Sequence, residues 1–171
     1  MSTVVQRGVH MSGVPDLAEL QIEGVAELSR EIGATVLLAR GLPAASREKA
    51  LLGMVEQLAA AGFIHDAGVV LDALLERERI APTGLAPGVA VPHCRSEMVE
   101  RLVVLVALLA QPVIFDPPDG PPVERIFLVV APQGAAAQYL EVLGKISRLV
   151  RDRKALEALL GPPARVPRRS R

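Results

Sequence analysis

The chain has 171 residues, of which 50% are hydrophobic and only 2% aromatic, so we expect one compact domain with an aliphatic core. Lysine and arginine together number 19, as do aspartate and glutamate, and the resulting net charge of zero argues against a nucleic-acid-binding protein. The one cysteine excludes an intrachain disulfide, and the longest apolar run, residues 102–110, is too short to span a bilayer, so we expect a cytoplasmic protein without membrane insertion.

The first part of the chain carries little pattern. We expect residues 1–24 to be a weakly structured N-terminal extension with at most one short helix, at residues 16–22. The apolar run at residues 36–38 then predicts a short strand, which Gly41 and Pro43 close.

Two helices follow, and each is preceded by a side chain suited to cap its first turn. Ser46 begins the first helix, whose apolar residues recur at helical spacing until Gly62 ends the run. Asp66 begins the second helix, which ends in the charged residues 76–79. Within that charged run, helical spacing places Arg77 near the edge of the buried face.

The pattern in the middle of the chain predicts strands separated by turns. A turn-rich stretch at residues 81–88 leads into a short strand at residues 89–93. Residues 101–109 are a nearly continuous aliphatic run, which is typical of a strand buried on both faces. After a rigid, proline-rich turn at residues 117–122, residues 124–130 predict a second buried strand.

Two further helices complete the pattern, one with an apolar stripe running from Tyr139 to Val150 and one that Asp152 caps and that ends near Leu160. Residues 161–171 predict a basic, disordered tail. The order of elements predicts a single-domain α/β/α sandwich, with a small mixed central sheet flanked by helices over residues 25–160.

Three histidines are candidates for chemistry: His10 in the extension, His65 in a loop before a helix cap, and His93. No group of His, Cys, Asp and Glu has metal-ligand spacing, and the adjacent His93 and Cys94 side chains point to opposite faces of a strand, so we predict no metal site. His93 follows Pro92 at a predicted strand end, where α/β sheets form ligand crevices, and a neutral imidazole is a competent nucleophile. From the residues alone, an ordinary surface or core histidine is the commoner interpretation.

Several segments, in order, resemble one family. Gly-Val-Ala-Val-Pro-His at residues 88–93 resembles the active-site signature of enzyme IIA domains of the phosphotransferase system, in the fructose/mannitol and nitrogen-regulatory branch. Leu-Glu-Arg-Glu at residues 75–78, followed by Thr83 and Gly84, resembles that family's Arg-Glu and Ser-Thr-Gly segment. Pro-Asp-Gly at residues 118–120 resembles its hairpin, and the resemblance extends over about residues 25–160.

The resemblance implies a phosphohistidine mechanism that needs no cofactor. His93 then accepts phosphate through Nε2 from the small carrier protein HPr, and Arg77 faces the phosphate, whose oxygens match a guanidinium fork. Thr83 either donates a hydroxyl nearby or only stabilises the turn. Tyr139 stands where the family has a second histidine, and it carries no positive charge at neutral pH.

Two more departures are Pro82 in place of the usual serine and Cys94 in place of the usual glycine. Together the departures favour a regulatory or degenerate phosphotransferase component over efficient sugar-linked transfer. The expected partners are an HPr-like phosphocarrier and either regulatory target proteins or a separate IIB component. The alternative is a IIA-fold binding module without phosphate turnover, and a third hypothesis, nucleic-acid association, rests only on the basic tail.

Overall fold

The structure, a computed structural model, describes residues 25–115 and 120–162. The predicted N-terminal extension, most of the basic tail and the first half of the proline-rich turn lie outside the described residues. Within the described ranges, none of the helices is long and apolar enough to cross a membrane. In chain order, the elements are α1 (Val25–Ile32), β1 (Thr35–Leu42), α2 (Arg47–Ala60), α3 (Ala67–Ile80), β2 (Gly84–Ala86), β3 (Val89–Ala90), β4 (His93–Ser96), β5 (Val103–Ile114), β6 (Pro122–Pro132), α4 (Ala136–Arg151) and α5 (Arg153–Leu160).

The six described strands form one mixed sheet. Its order is β1-β5-β6-β3-β2, and β4 also pairs with β6. Strand β5 runs parallel to β1 and antiparallel to β6, whereas β3 and β4 run parallel to β6. The predicted single-domain α/β/α sandwich with a mixed central sheet is confirmed.

Alternate residues of the two central strands enter different hydrophobic clusters, one on each face of the sheet. On β5, Leu105 packs with the cluster that holds α2 and α3, while Val106 packs with the cluster that holds α1, α4 and α5. On β6, Leu128 and Val129 divide between the same two clusters. Since successive side chains of a strand point to opposite faces, both faces are buried, as the unbroken aliphatic runs predict.

The predicted helix starts are confirmed by their caps. The Ser46 hydroxyl accepts from the N–H of Lys49 at 3.2 Å, and the Asp66 carboxylate accepts from the N–H of Val69 at 3.1 Å. Asp152 caps α5 in the same way. Each side chain satisfies a backbone donor that a helix N-terminus otherwise leaves without an intrahelical partner.

The prediction of one continuous strand over residues 89–93 is wrong. Strand β3 ends at Ala90 and β4 begins at His93, because Pro92 has no N–H to donate to the ladder. Both short strands nevertheless pair with β6 in the same register, and the N–H of Val129 donates to the Pro92 carbonyl at 3.0 Å. His93 therefore begins a strand instead of ending one.

Two elements were not predicted from the sequence. Helix α1 has only eight residues, yet Leu28 and Ile32, four positions apart, are fully buried against the sheet. The turn-rich stretch contains the hairpin of β2 and β3, in which Gly88 adopts a φ of +79°. Glycine takes this left-handed conformation without steric cost, so the chain reverses tightly just before the candidate site.

Candidate functional site

The C-terminal end of α3 and the first residue of β4 meet at the rim of the sheet. Arg77, in the last turn of α3, places Nη2 3.5 Å from Nε2 of His93. Its Nη1 donates to the carbonyl of Ala81 at 2.9 Å, which ties the guanidinium to the end of its own helix. A fixed cation therefore faces one ring nitrogen of a half-buried histidine.

The protonation of the His93 ring follows from its two neighbours. Nδ1 lies 2.6 Å from the carbonyl oxygen of Val91, which has no hydrogen and only accepts. The proton of the neutral ring is therefore on Nδ1, and Nε2 has a free lone pair directed towards Arg77, which only donates. This is the tautomer that a nucleophilic Nε2 requires.

The pKa of His93 lies below its usual value near 6.5. Burial is the main cause, because it penalises the charged ring, and the positive charge of Arg77 acts in the same direction. The hydrogen bond to Val91 and the negative charge of Glu78 oppose the shift. At neutral pH the ring is thus uncharged and the Nε2 lone pair is available.

Tyr139, at the start of α4, lies on the other side of His93. The two ring centroids are 5.9 Å apart, with 53° between the planes. The guanidinium carbon of Arg95 lies 5.8 Å from the Tyr139 ring centre, and the Arg95 Nη1 donates to the Gln133 carbonyl at 2.8 Å. Burial raises the pKa of Tyr139 to about 12, so its hydroxyl stays protonated and is able to donate a hydrogen bond.

Thr83 lies apart from the ring. Its hydroxyl and its N–H both donate to the carboxylate of Glu78, and both residues are buried. The hydroxyl is therefore already engaged inside the protein, which matches the turn-stabilising interpretation of this residue. Of the four predicted site residues, the structure brings His93, Arg77 and Tyr139 together, while the Thr83 hydroxyl is engaged with Glu78 and the Thr83 carbonyl accepts from the N–H of Val91.

Residues 36–163 match the family described as "Phosphoenolpyruvate-dependent sugar phosphotransferase system, EIIA 2". The chain belongs to this family. The resemblance found in the sequence is thereby confirmed, and it covers both the nitrogen-regulatory and the fructose/mannitol members of the IIA proteins.

Two relatives illustrate both kinds of member. A nitrogen regulatory protein of Bradyrhizobium diazoefficiens is 40% identical over 90 residues, which cover 53% of this chain and 59% of that protein. The chain thus spans less than two thirds of that relative. A fructose-specific EIIA component of Haloferax volcanii is 32% identical over 118 residues, which cover 69% of this chain and 77% of that protein.

Solved structures agree with the fold. The nitrogen regulatory protein IIA-Ntr of Neisseria meningitidis superposes with a TM-score of 0.64 and 28% identity, over 75% of this chain and 86% of that one. The mannitol IIA of Escherichia coli superposes with a TM-score of 0.61 over 75% of this chain and 89% of that one. Its 23% identity supports a shared fold alone.

Cys94, next to the candidate acceptor of this IIA-family protein, points away from it. Its side chain is buried in the cluster that holds α2 and α3. Burial also raises the pKa of its thiol to about 12, so it is not a thiolate at neutral pH. Cys94 therefore packs as a small hydrophobic residue and does not compete with His93 as a nucleophile.

Reasoning from the sequence missed Arg95 at this IIA-type site, and it included Glu78 in the family's Arg-Glu segment without giving it a role. Glu78 lies four positions after Leu74 and eight after Val70, both buried, so an acid stands on the apolar line of α3. Arg95 lies two positions after His93 on the same strand and so shares its face. Helical and strand periodicity could have indicated both.

Proposed function

We propose that this protein is a regulatory IIA protein of the nitrogen type that accepts a phosphoryl group on Nε2 of His93 from an HPr-like carrier. The observation that carries the proposal is the unprotonated Nε2, held 3.5 Å from the Arg77 guanidinium. We assign the activity to residues 25–160 and expect the protein to act in the cytoplasm. No bound cofactor is needed for this chemistry.

The transfer needs a nucleophile, alignment and charge neutralisation. The Nε2 lone pair of His93 attacks phosphorus, the bond from phosphorus to the donor's histidine nitrogen breaks, and its electron pair returns to that donor ring. Because Nδ1 keeps its proton, the phosphorylated His93 ring gains positive character, which the Val91 carbonyl stabilises. The Arg77 N–H groups that are not bonded within the protein donate to the phosphoryl oxygens, since the planar guanidinium matches the geometry of a phosphate group.

Two features favour a regulatory carrier over a sugar-linked one. The relative with 40% identity is a nitrogen regulatory protein, as is the solved structure with 28% identity. In addition, Tyr139 contacts the His93 ring at the position predicted for a second histidine, so this side of the site offers a neutral hydroxyl. A neutral donor stabilises an anionic transfer state less than an imidazolium does, which suits a protein whose phosphorylation state is a signal.

The partners we propose are an HPr-like donor and either regulatory target proteins or a separate IIB component. Two exposed apolar side chains lie close in the chain to site residues: Ile80, 69% exposed, is three positions after Arg77 on α3, and Leu140, 66% exposed, directly follows Tyr139 on α4. Apolar side chains together with arginine are typical of protein–protein interfaces, in which arginine is enriched relative to the rest of the surface. One similar fold in a solved complex is a mannitol IIA bound to a phosphorylated mannitol IIB of Escherichia coli.

A second candidate function is a IIA-fold binding module that regulates partners without phosphate turnover. The uncharged Tyr139 is the observation that favours it. The two functions differ in whether phosphate is ever bound covalently, so one assay separates them.

The test is incubation of the full chain with a phosphorylated HPr-like donor, followed by mass spectrometry of the modified residue. We expect acid-labile phosphate on His93, no incorporation in His93→Ala and normal incorporation in His65→Ala, whose histidine is exposed in a loop. A wild-type chain that takes up no phosphate from a donor active towards another IIA protein supports the binding module instead.

A further inference from the structure

A buried acid lies directly beside the arginine of the site. Glu78 is 2% exposed and follows Arg77 in the last turn of α3. Burying a carboxylate is costly unless hydrogen bonds compensate for the lost water. The role of Glu78 therefore depends on which groups donate hydrogen bonds to its carboxylate and on how these groups connect to the candidate site.

Both oxygens of this carboxylate accept hydrogen bonds from Thr83. The Thr83 N–H donates to Oε2 at 3.2 Å, and the Thr83 hydroxyl donates to Oε1. Thr83 is itself only 6% exposed. The pair fixes the chain where it leaves α3 and enters the β2–β3 hairpin.

The hydrogen bonding continues from Thr83 to the imidazole. The Thr83 carbonyl accepts from the N–H of Val91 at 2.9 Å, and the Val91 carbonyl accepts from Nδ1 of His93 at 2.6 Å. Between Val91 and His93 stands Pro92, whose ring fixes φ and whose carbonyl is held by β6. A continuous path of hydrogen bonds therefore joins Glu78 to the ring nitrogen opposite the nucleophile.

We propose that Glu78 is a positioning residue that, through Thr83 and Val91, sets the tautomer and orientation of the His93 ring. The proposal deepens the proposed function, since it rests on Nε2 of His93 being the phosphoryl acceptor. Adjacent residues of α3 then act on both ring nitrogens. Arg77 faces Nε2 directly, and Glu78 controls the carbonyl that holds the proton on Nδ1.

A merely structural role of Glu78 predicts a different result from a positioning role. As a plain anchor, Glu78 affects folding stability, and any folded variant keeps the Nδ1–H tautomer. As a positioning residue, it affects the tautomer in a chain that remains folded, because the Val91 carbonyl shifts away from Nδ1. Removing the partners that orient a metal-bound imidazole lowers affinity or activity roughly 10- to 100-fold, and we expect a loss of the same size for the His93 ring.

The test records the nitrogen-15 signals of the His93 ring in the unphosphorylated full chain, where the two tautomers have distinct chemical shifts. We expect the Nδ1–H form in the wild type and in Glu78→Gln and Thr83→Ser, which keep a side-chain hydrogen bond. Glu78→Ala and Thr83→Val are expected to contain more of the Nε2–H form than the wild type, although Arg77 still disfavours it, and to accept phosphate roughly 10- to 100-fold more slowly. The matched control is Glu76→Gln, an exposed acid on the same helix.

The ring signals of the Glu78 and Thr83 variants decide between the two roles. Folded Glu78→Ala and Thr83→Val chains that keep the wild-type ring signals overturn it, even if their phosphorylation slows. If Glu78→Ala does not fold, Thr83→Val against Thr83→Ser gives the same comparison with a smaller change. A wild type that shows the Nδ1–H form but takes up no phosphate refutes the proposed function while leaving the tautomer result intact.

Discussion

The Arg77 guanidinium and the His93 imidazole face each other across 3.5 Å, although they belong to elements that pack on the sheet differently. Arg77 ends a helix that covers one face, and His93 begins a strand within the sheet, with its ring against Tyr139 of α4 on the other side. The site therefore lies at the rim where both helical layers end. An anion bound at this rim would contact the Arg77 guanidinium.

Removing the Arg77 guanidinium is expected to slow phosphoryl acceptance strongly. Loss of one preorganised group that stabilises transition-state charge costs roughly 100-fold or more, so Arg77→Ala should fall in that range. Arg77→Lys keeps the charge but not the planar fork, and we expect an intermediate rate. The measurement is the initial rate of transfer from a phosphorylated HPr-like donor.

The control for Arg77 is Arg79→Ala, because Arg79 is exposed on the same helix and pairs with Glu76. Equal rates in the Arg77 and Arg79 variants would show that the Arg77 charge has no particular part in transfer.

Phosphoryl acceptance is expected to persist into mildly acidic solution. Only the neutral ring has a lone pair on Nε2, and burial lowers the pKa of His93, so the ring stays neutral to a pH below 6.5. As pH falls, the rate should therefore decrease with a midpoint below pH 6.5. Titration of the His93 ring signals by NMR gives the midpoint independently of the donor.

In Arg77→Ala the same midpoint should move upwards, because the positive charge that opposes protonation has been removed. A wild-type midpoint above 6.5 would contradict the buried position of the ring.

Replacing Tyr139 by histidine is expected to raise the transfer rate. The Tyr139 ring lies 5.9 Å from the His93 ring, so an imidazole there brings a group that becomes charged near neutral pH. Tyr139→Phe, which keeps the ring and removes the hydroxyl, serves as the comparison for donor loss. Rates for Tyr139→His that equal the wild type would mean that this side chain takes no part in the transfer.

Loss of the α2 cap is expected to destabilise the fold without affecting the site. Ser46→Ala leaves the Lys49 N–H without its side-chain acceptor and should lower the free energy of unfolding by about 1 kcal/mol. Urea denaturation followed by circular dichroism measures this change. Ser46→Asp provides the control, since aspartate is an equally good cap, and a similar loss in that variant would point to a cause other than capping.

The features that were predicted correctly depend on residues close together in the chain. The caps at Ser46, Asp66 and Asp152 act over three positions, and the aliphatic runs of β5 and β6 reveal burial on both faces without any partner. The predicted end of the first helix at Gly62 is also confirmed, since α2 ends at Ala60. It depends on the conformation of one residue, because Gly62 adopts a φ of +82°. The family resemblance added the pairing of Arg77 with His93, which spacing alone does not provide.

The formation of strand β4 after Pro92 and the burial of helix α1 needed the neighbouring elements. Strand β4 exists because β6 offers it hydrogen bonds, and its residues carry no strong β pattern of their own. Helix α1 is too short to be stable alone, and it is held by the burial of Leu28 and Ile32. Strand β4 and helix α1 are both short, and both are stabilised by contacts with neighbouring elements.

By itself, the sequence determined the sandwich of layers, the helix starts and the identity of the candidate acceptor, because capping, periodicity and motif order are properties of short stretches of chain. Only the tertiary structure decided which nitrogen of His93 is free, that Glu78 accepts hydrogen bonds from Thr83, and that Arg95 lies beside the Tyr139 ring. The tautomer of His93 depends on the Val91 carbonyl lying within hydrogen-bond distance of Nδ1. The position of that carbonyl depends in turn on the β2–β3 hairpin, on the break at Pro92 and on the pairing with β6. These contacts join distant parts of the chain, so no local pattern contains them.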